Sequence, residues 1–513
     1  MSVYKASLPN RPGVVTTNEG GTAFSISDWT RLQRFMFLGT EGGTFYVNES
    51  EMTKDAINLV ERCIAEDPAR ALGIAFDAIE SGRAYRKQPA LVTLAMACVP
   101  DDQFIRRSAY LMIPLMISTG SDMLTFVSYV NGMRGWSKGL IRAITRWYEA
   151  RSVDVLAYQL VKYRNRDGFT HRDVARLTHL KSNDPARNAL YGWLYGKEDD
   201  EALPDIIKAT IWLRDNADAS SEDIAEHIVR NKLPRECVPS ELLNRPKVWD
   251  ALLADMPMTA MVRNLGKMGS VNLLVQGSEA SATVASRLSD GAYIKRAKVH
   301  PMGVMLAGMT YSSGHGFRGS NTWPVVPAVI DGLDSAFYAS FANVEPTGKK
   351  LLVALDCSAS MTSGMIMNTN ISAAQAQAVM AMTAMRTEPY LHIMGFHTEI
   401  ANIKISARQR FDDVMRGMEI AGRGTYTSIP LEYALKEKLD LDAIILYTDS
   451  ISADRTTNSL LGELRKKNPD LKAICVAMTA NDVSVFNPED SRNLNVAGMD
   501  GSLPLLINQF IME

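Results

Sequence analysis

Oxygen-bearing side chains follow two short apolar runs in the last third of the chain. The segment "ALDCSASM" places Asp356, Ser358 and Ser360 at alternate positions after the run "KLLVAL". Thr425 follows the glycine-rich segment "GRG", and Asp449 ends the run "AIILYTD". Two carboxylates and three hydroxyls are hard oxygen donors, which suit an octahedral cation. The pattern therefore predicts a divalent metal site, with Mg²⁺ the favoured ion.

Other interpretations of this segment stay open at this point. Cys357 or a serine could be a nucleophile, but the glycines of a nucleophile elbow are missing, and no recognised spacing links His392 or His397 to the thiol. Asp356 and the serines could also merely cap the next helix. A nuclease would need a general base or a phosphate clamp beside Asp356 and Asp449, and the sequence supplies neither. We therefore expect no enzyme activity.

The most basic part of the chain is residues 131–181, with eleven Lys and Arg against four acids. Four of these recur at every fourth position, along one helix flank: Arg134, Lys138, Arg142 and Arg146. Like charges at this spacing repel one another unless an anion offsets them. Five aromatic residues are interleaved: Trp136, Trp147, Tyr148, Tyr163 and Phe169. Cations for phosphates and flat rings for bases favour RNA recognition, and the alternative is a solvated basic face whose aromatic rings pack inward.

The basic segment lies within a long series of predicted helices. From about Ser27 to about Phe341, apolar residues recur at helical spacing in segments of about 10–18 residues, separated by short polar breaks. Residues 49–67, "ESEMTKDAINLVERCIAED", are typical. Helices of this length joined by short turns predict a stack of antiparallel helix pairs of the HEAT type. A helical bundle is the alternative.

After residue 350 the sequence pattern predicts alternating strands and helices. The run "KLLVALD" predicts a buried strand, residues 371–388 predict a helix, and "YLHIMGF" predicts the next strand. This alternation is typical of a doubly wound α/β domain with a mainly parallel sheet. Ligand sites in such sheets lie at the carboxyl ends of the strands, where Asp356 and Asp449 stand.

The composition indicates a cytoplasmic globular protein. The chain has 513 residues, too many for one core, with 46% hydrophobic residues, 22% charged residues and a net charge of −2. Its five cysteines include no CxxC pair, as expected in a reducing compartment. The N-terminus lacks the apolar core of a signal peptide. No apolar run reaches the roughly 18 residues of a membrane helix.

Further segments resemble a known family. The three oxygen-bearing loops resemble, in order, the metal-ion-dependent adhesion site of von Willebrand factor A domains. Five other segments resemble the signature segments of the Ro autoantigen family, in which a TROVE module of helical repeats precedes an A domain: residues 34–46, 163–181, 256–268, 311–319 and 344–361. The resemblance is collinear and covers nearly the whole chain. It implies a TROVE-type RNA-binding domain over residues 1–345 and an A domain over residues 346–513, and the low lysine content of the basic segment favours a bacterial member.

This resemblance implies a non-enzymatic, monomeric ring of helical repeats closed by the A domain. Y-like small non-coding RNA would bind the basic outer surface, and single-stranded 3′ ends of misfolded RNA would enter a central hole, in RNA quality control. An exoribonuclease would be a further partner. Ser358, Ser360 and Thr425 would ligate the metal ion directly, with Asp356 and Asp449 near it through water. The alternative function is a metal-dependent protein-interaction adaptor that binds RNA incidentally.

The positions that match the family supply the expected RNA contacts. Those on the basic segment are Lys138, Arg142, Lys162, Arg164, His171, Arg172, Arg176, His179 and Lys181. Three more are expected to face the hole: Arg263, His315 and Arg318.

Overall fold

The computed structural model describes most of the chain and divides it into two compact units. The described residues are 14–16, 22–24, 28–38, 44–46, 54–81, 86–133, 135–316, 320–366, 371–420, 422, 424–449, 456–479, 485–487, 490–499 and 503–512. The first unit comprises residues 1–56, 285–321 and 327–513, and the second comprises residues 57–284 and 322–326. Arg134 and Arg318, which the sequence analysis singled out, lie outside the described residues.

The N-terminal elements pack within the first unit. They are strands β1 (Val14–Thr16) and β2 (Thr22–Phe24), which pair antiparallel, helix α1 (Asp28–Leu38) and strand β3 (Thr44–Tyr46). The buried Arg34 side chain of α1 lies 5.2 Å from the ring centroid of Phe510 and donates a hydrogen bond to the carbonyl of Ser491. These contacts join α1 to the C-terminal part of the chain.

Helices occupy most of residues 54–289, as the helical spacing predicted. They are α2 (Lys54–Glu66), α3 (Pro68–Glu80), α4 (Gln88–Ala97), α5 (Gln103–Met116), α6 (Gly120–Met133), α7 (Lys138–Glu149), α8 (Val153–Lys162), α9 (His171–Thr178), α10 (Pro185–Leu194), α11 (Asp205–Asp215), α12 (Ser221–Arg230), α13 (Pro246–Ala254), α14 (Met258–Ser270) and α15 (Glu279–Ser289). A short hairpin of β4 (Asn165–Arg166) and β5 (Phe169–Thr170) interrupts them. Helix α3 packs on α4 and α5, α4 packs on α6, and α5 packs on α7. Alternate helices are therefore neighbours, as in stacked helix pairs.

Three more helices precede the A-type domain and pack within the first unit: α16 (Gly291–Arg296), α17 (Pro301–Ser312) and α18 (Pro327–Ser340). The guanidinium of Arg386 lies 5.1 Å from the ring centroid of Tyr338 and 4.8 Å from that of Phe341. The backbone N–H of Phe411 donates to the Tyr338 hydroxyl at 2.9 Å. These contacts bind the end of the helical segment to the domain that follows.

That domain is a doubly wound α/β structure, which confirms the predicted fold class. Its elements are β6 (Leu351–Asp356), α19 (Ser360–Ser363), α20 (Ala373–Thr387), β7 (Leu391–Phe396), β8 (Ile400–Ala401), α21 (Phe411–Gly417), α22 (Ile429–Lys436), β9 (Ala443–Thr448), α23 (Thr457–Arg465), β10 (Lys472–Ala477), β11 (Asn493–Ala497) and α24 (Leu503–Met512). Among the described residues, the sheet order is β3-β11-β10-β9-β6-β7-β8, parallel except for β8. The edge strand β3 comes from the N-terminal segment, where the sequence indicated only helices.

Candidate functional site

The predicted metal ligands converge where strands β6 and β9 end side by side. These strands pair in parallel up to Leu355 and Tyr447, so the residues that follow them meet at one edge of the sheet. The hydroxyl of Ser360 donates to Asp449 Oδ1 at 3.1 Å. Its Oγ also lies 3.1 Å from Ser358 Oγ. Two of the three predicted loops are thus joined directly through side-chain oxygens.

Asp356 joins the third loop to this cluster. Its carboxylate is fully buried and accepts hydrogen bonds from the backbone N–H of Ser358 at 2.8 Å, from Thr448 Oγ1 at 2.7 Å and from Thr425 Oγ1 at 3.2 Å. The Gln377 side-chain amide holds the Asp356 carbonyl at 2.7 Å. The structure therefore brings all five predicted oxygen-bearing side chains together. A helix cap, the alternative interpretation, would need only one of them.

Close backbone contacts hold these loops together. The Ala359 N–H donates to the carbonyl of Gly422 at 2.8 Å, and the Gly422 N–H donates to the carbonyl of Cys357 at 3.2 Å. A Cβ at position 422 would lie 2.4 Å from Cγ of His397, so only glycine fits there. The thiol of Cys357 is buried, and desolvation followed by the charge of Asp356 raises its pKa to about 12. A thiol that stays protonated at neutral pH does not act as a nucleophile.

The electrostatics of the cluster suit a cation. Burial and, to a smaller degree, the charge of Asp356 raise the pKa of Asp449, while the hydrogen bond from Ser360 opposes this shift. Within the described part of the chain, neither carboxylate pairs with a Lys or Arg. That part also holds no group of three or more His, Cys, Asp and Glu side chains able to bind a metal. An ion here would therefore depend on the three hydroxyls and on water, as Mg²⁺ tolerates.

The basic segment begins on helix α7. Ser137 caps this helix, because its Oγ accepts a hydrogen bond from the Leu140 N–H at 3.2 Å. One face of the helix buries apolar side chains such as Ile144 and Trp147. Lys138, Arg142 and Arg146 are exposed, so the predicted basic stripe exists on the described part of α7.

A tight turn and a helix cap present the next basic residues. Asp167 and Gly168 adopt positive φ angles of 48° and 80° in the β4–β5 turn, and Thr125 Oγ1 donates to Asp167 Oδ2 at 2.6 Å. Thr170 then begins α9 with a reciprocal capping box. The helix ends at His179, whose backbone is left-handed, a conformation in which histidine is several-fold enriched.

Most of the predicted RNA contacts reach solvent. The exposed ones are Lys138, Arg142, Arg164, Arg172, Arg176, His179, Lys181, Arg263 and His315, and Lys162 is half-buried. Arg172 also donates to the carbonyl of Leu194 at 2.7 Å, which fixes its stem against α10. Six of these exposed side chains are Lys or Arg between residues 138 and 181, and none of the six forms an ion pair with a carboxylate of the described residues. The charge of Arg172 nevertheless helps to lower the pKa of Glu198.

His171 is the exception, because it lies in the helical core with 2% exposure. Its Nδ1 lies 2.7 Å from the Tyr148 hydroxyl, and a Cβ at Gly120 would lie 2.8 Å from its Nε2. Burial lowers the pKa of His171 to about 4, so the imidazole is neutral at pH 7. The structure thus corrects the expectation of a direct RNA contact: this residue packs α9 against its neighbours. Only the tertiary packing distinguishes it from His179, eight residues later.

The interleaved aromatic residues also divide between core and surface. Trp147 and Tyr148 are fully buried, and the Arg151 guanidinium covers the Trp147 ring at 3.6 Å. Trp136, Tyr163 and Phe169 are half-buried. The alternative of inward-packed rings therefore holds for two of the five, and only the other three could stack on bases.

Sequence reasoning missed two basic residues outside the segment 131–181. Arg106 and Arg107 of α5 line a cleft together with Arg142 and Arg146 of α7. The adjacent pair in "DQFIRRSAY" was a signal, but only the packing of α5 on α7 brings it to the basic stripe.

Among the helices that the structure describes, none has the length and apolar content of a membrane-spanning helix.

Comparison with known proteins identifies the family. The TROVE domain family matches residues 15–197 and 227–310, and the Ro60 vWA domain family matches residues 350–511. The chain is 33% identical over 511 residues to the RNA-binding protein RO60 of Deinococcus radiodurans, covering 97% of this chain and 95% of that one. It is 26% identical over 588 residues to the RNA-binding protein RO60 of Caenorhabditis elegans, covering 98% and 90%. The crystal structure of the Deinococcus radiodurans RO (RSR) protein matches with a TM-score of 0.88 at 32% identity, covering 95% of this chain and 99% of that one. The matched families cover both the helical segment and the α/β domain, and the chain belongs to the Ro60 family.

Proposed function

We propose that this protein binds a Y-like small non-coding RNA through the exposed basic side chains of α7, the β4–β5 hairpin and α9. One observation carries the proposal: six of these Lys and Arg side chains are exposed and form no ion pair with a carboxylate of the described residues, although the charge of Arg172 acts on Glu198. Unpaired cations on one segment are available to phosphates. Two matched relatives are named RNA-binding proteins, which supports the same conclusion.

The protein's role, in this proposal, is that of a non-enzymatic ribonucleoprotein scaffold in RNA quality control. Single-stranded 3′ ends of misfolded RNA enter the central opening that the family resemblance implies, with the exposed Arg263 and His315 as their contacts. An exoribonuclease is the proposed partner that degrades such RNA. The five free, buried thiols fit a reducing cytoplasm.

Two measurements test this proposal. Sequencing of RNA that copurifies with the native protein should recover a small structured RNA, and filter binding of that RNA should weaken in Arg176→Glu. Arg408→Glu is the matched control, because Arg408 is exposed and lies in the A-type domain. The proposed RNA binding is wrong if no RNA copurifies and no added small RNA binds at low salt.

We also propose that the oxygen cluster binds Mg²⁺, with Ser358, Ser360 and Thr425 as direct ligands and Asp356 and Asp449 close by. The raised pKa of Asp449 beside a second buried carboxylate supports a cation at this position. When bound, the ion would supply an open coordination position for an acidic side chain of a partner protein. The residues of this chain orient the hydroxyls, and three hydrogen bonds fix the Asp356 carboxylate in place.

This cluster favours a second candidate function, a protein-interaction adaptor that depends on the metal. Under that alternative, Asp449→Asn abolishes capture of a protein partner by the purified chain, whereas RNA affinity is unchanged. Under the leading proposal, Arg176→Glu reduces RNA affinity and leaves Mg²⁺ binding intact. The two substituted residues lie in different units. Each variant should therefore retain the function that the other variant loses, which serves as its control.

A further inference from the structure

Helices α5 and α7 enclose a cleft of about 570 Å³. Its walls come from the residues directly after α4, from α5 and α6, and from α7. This volume lies in the range of small-molecule sites, about 300–1,000 Å³. The cleft is therefore large enough for one nucleotide.

The charged side chains that line the cleft are all positive. They are Arg106, Arg107, Arg142 and Arg146, and no Asp or Glu is among the lining residues that the structure describes. Arg106 is partly engaged, since it donates to the Pro100 carbonyl at 2.5 Å and lies 3.8 Å from the exposed Asp101. The other three guanidinium groups are exposed and form no ion pair with a carboxylate of the described ranges. Arg142 Nε donates to the Lys138 carbonyl at 3.3 Å, so Arg107, Arg146 and the terminal N–H groups of Arg142 are available to an anion.

The N-terminus of α7 opens into the same cleft. Ser137, Gly139 and Leu140 line it, and Tyr110 Oη lies 2.9 Å from Ser137 Oγ. A Cβ on Gly139 would lie 2.6 Å from Cε2 of Tyr110, so glycine lets the tyrosine ring lie against the start of the helix. Ser137 already accepts the Leu140 N–H, so the helix dipole and the remaining N–H groups of the first turn favour a negative group here.

Part of the remaining lining is apolar, which indicates more than a phosphate site. Val99, Leu111 and Ala143 contribute carbon surface beside the Tyr110 ring. Leu111 is 62% exposed, so its side chain is available to a ligand. A ligand that carries both a phosphate and a flat base matches this combination, because bases stack on aromatic rings and guanidinium planes.

We propose that this cleft binds the terminal nucleotide of an RNA chain by its phosphomonoester. An internal phosphodiester carries one negative charge, whereas a terminal phosphate carries about 1.5 to 2 at neutral pH. Three unpaired guanidinium groups and a helix N-terminus stabilise the higher charge better. This inference rests on the proposed RNA binding, and adds to it a preference for phosphorylated chain ends.

The test compares short single-stranded RNAs that differ only at one end. Fluorescence anisotropy of pentanucleotides should show that a 5′- or 3′-phosphate raises affinity about tenfold or more over the hydroxyl-ended form, the effect of one charge-assisted hydrogen bond. Arg107→Glu should bring this ratio close to one. Arg408→Glu, an equal change of charge on the A-type domain, should retain the wild-type ratio.

Competition with unlabelled ligands distinguishes the sources of the phosphate. A nucleoside 5′-monophosphate that displaces the phosphorylated RNA supports a site that also accepts free nucleotides, whereas displacement by phosphorylated RNA alone supports a site for chain ends. The inference is overturned if inorganic phosphate competes as well as a nucleotide, or if wild type and Arg107→Glu show the same ratio. The proposed RNA binding fails separately, when hydroxyl-ended and structured RNAs do not bind at all.

Discussion

Replacing Lys138 by Gln should lower the salt dependence of RNA binding by about one phosphate contact. Lys138 is exposed in the first turn of α7, where no carboxylate among the described residues neutralises it. The substitution removes one charge and keeps a helix-compatible side chain of similar length. It therefore changes the electrostatics of the surface and leaves the core unaltered.

The size of the effect follows from the number of exposed cations. Six exposed Lys and Arg side chains are predicted RNA contacts in this segment: Lys138, Arg142, Arg164, Arg172, Arg176 and Lys181. If each neutralises one phosphate, the logarithm of affinity falls with the logarithm of salt with a slope of about −5 on a duplex and about −4 on a single strand. Affinity then drops about 10³-fold between 50 and 200 mM salt. Lys138→Gln should reduce the magnitude of that slope by about 0.7 to 0.9.

Fluorescence anisotropy with a labelled Y-like RNA at five salt concentrations measures both slopes. Arg408→Gln is the control, since this exposed arginine lies in the other unit and should leave the slope unchanged. A wild-type slope near zero would refute the phosphate-contact reasoning. So would a Lys138→Gln variant that binds more weakly at every salt concentration with the wild-type slope.

Three other predictions concern stability, the metal and catalysis. In the unfolded chain His171 takes up a proton below about pH 6.5, whereas in the folded protein burial lowers its pKa to about 4. Between these two pH values the unfolded state binds one more proton. The free energy of unfolding should therefore fall by about 1.4 kcal/mol for each pH unit as the pH drops through this window. Urea unfolding of His171→Gln should show a slope smaller by that amount, and an identical pH dependence would contradict the assignment. Mg²⁺ at 100 times its dissociation constant should stabilise the wild-type protein by about 2.7 kcal/mol and should leave Asp449→Asn unaffected in thermal melts; equal shifts in both proteins would place the ion elsewhere. Labelled single-stranded RNA incubated with the protein and Mg²⁺ should stay intact on a denaturing gel, and its cleavage would disprove the non-enzymatic role.

The α/β domain was accessible to sequence reasoning because its strands are buried throughout. Strands β6 and β9 are buried along their whole length; β6 ends at Asp356, and Asp449 directly follows β9. A central parallel strand has both faces covered, so its position and its end can be read from composition. The edge strand β3 has three residues and no such run, and its pairing with β11 depends on a contact between the two ends of the chain.

The basic segment was predictable in charge but not in orientation. Helical spacing placed Lys138 and Arg142 on one flank, and the structure exposes both. His171 and His179 look alike in sequence, yet the first begins α9 facing the core and the second ends it in solvent. Which face of a short helix is covered depends on its neighbours, here α6, α7 and α10.

The sequence by itself determined the order of the two segments, the helical type of one and the parallel sheet of the other, and it predicted the residues that would ligate an ion or contact phosphates. These follow from local periodicity and from side-chain chemistry, which are properties of short segments. Tertiary structure supplied the hydrogen bonds that join Asp356, Thr425 and Asp449 at the edge of the sheet where the sequence predicted a site. It alone decided that Arg107 of α5 lines the same cleft as Arg142 of α7. These are contacts across tens of residues, set by how buried faces pack, and no local pattern encodes them.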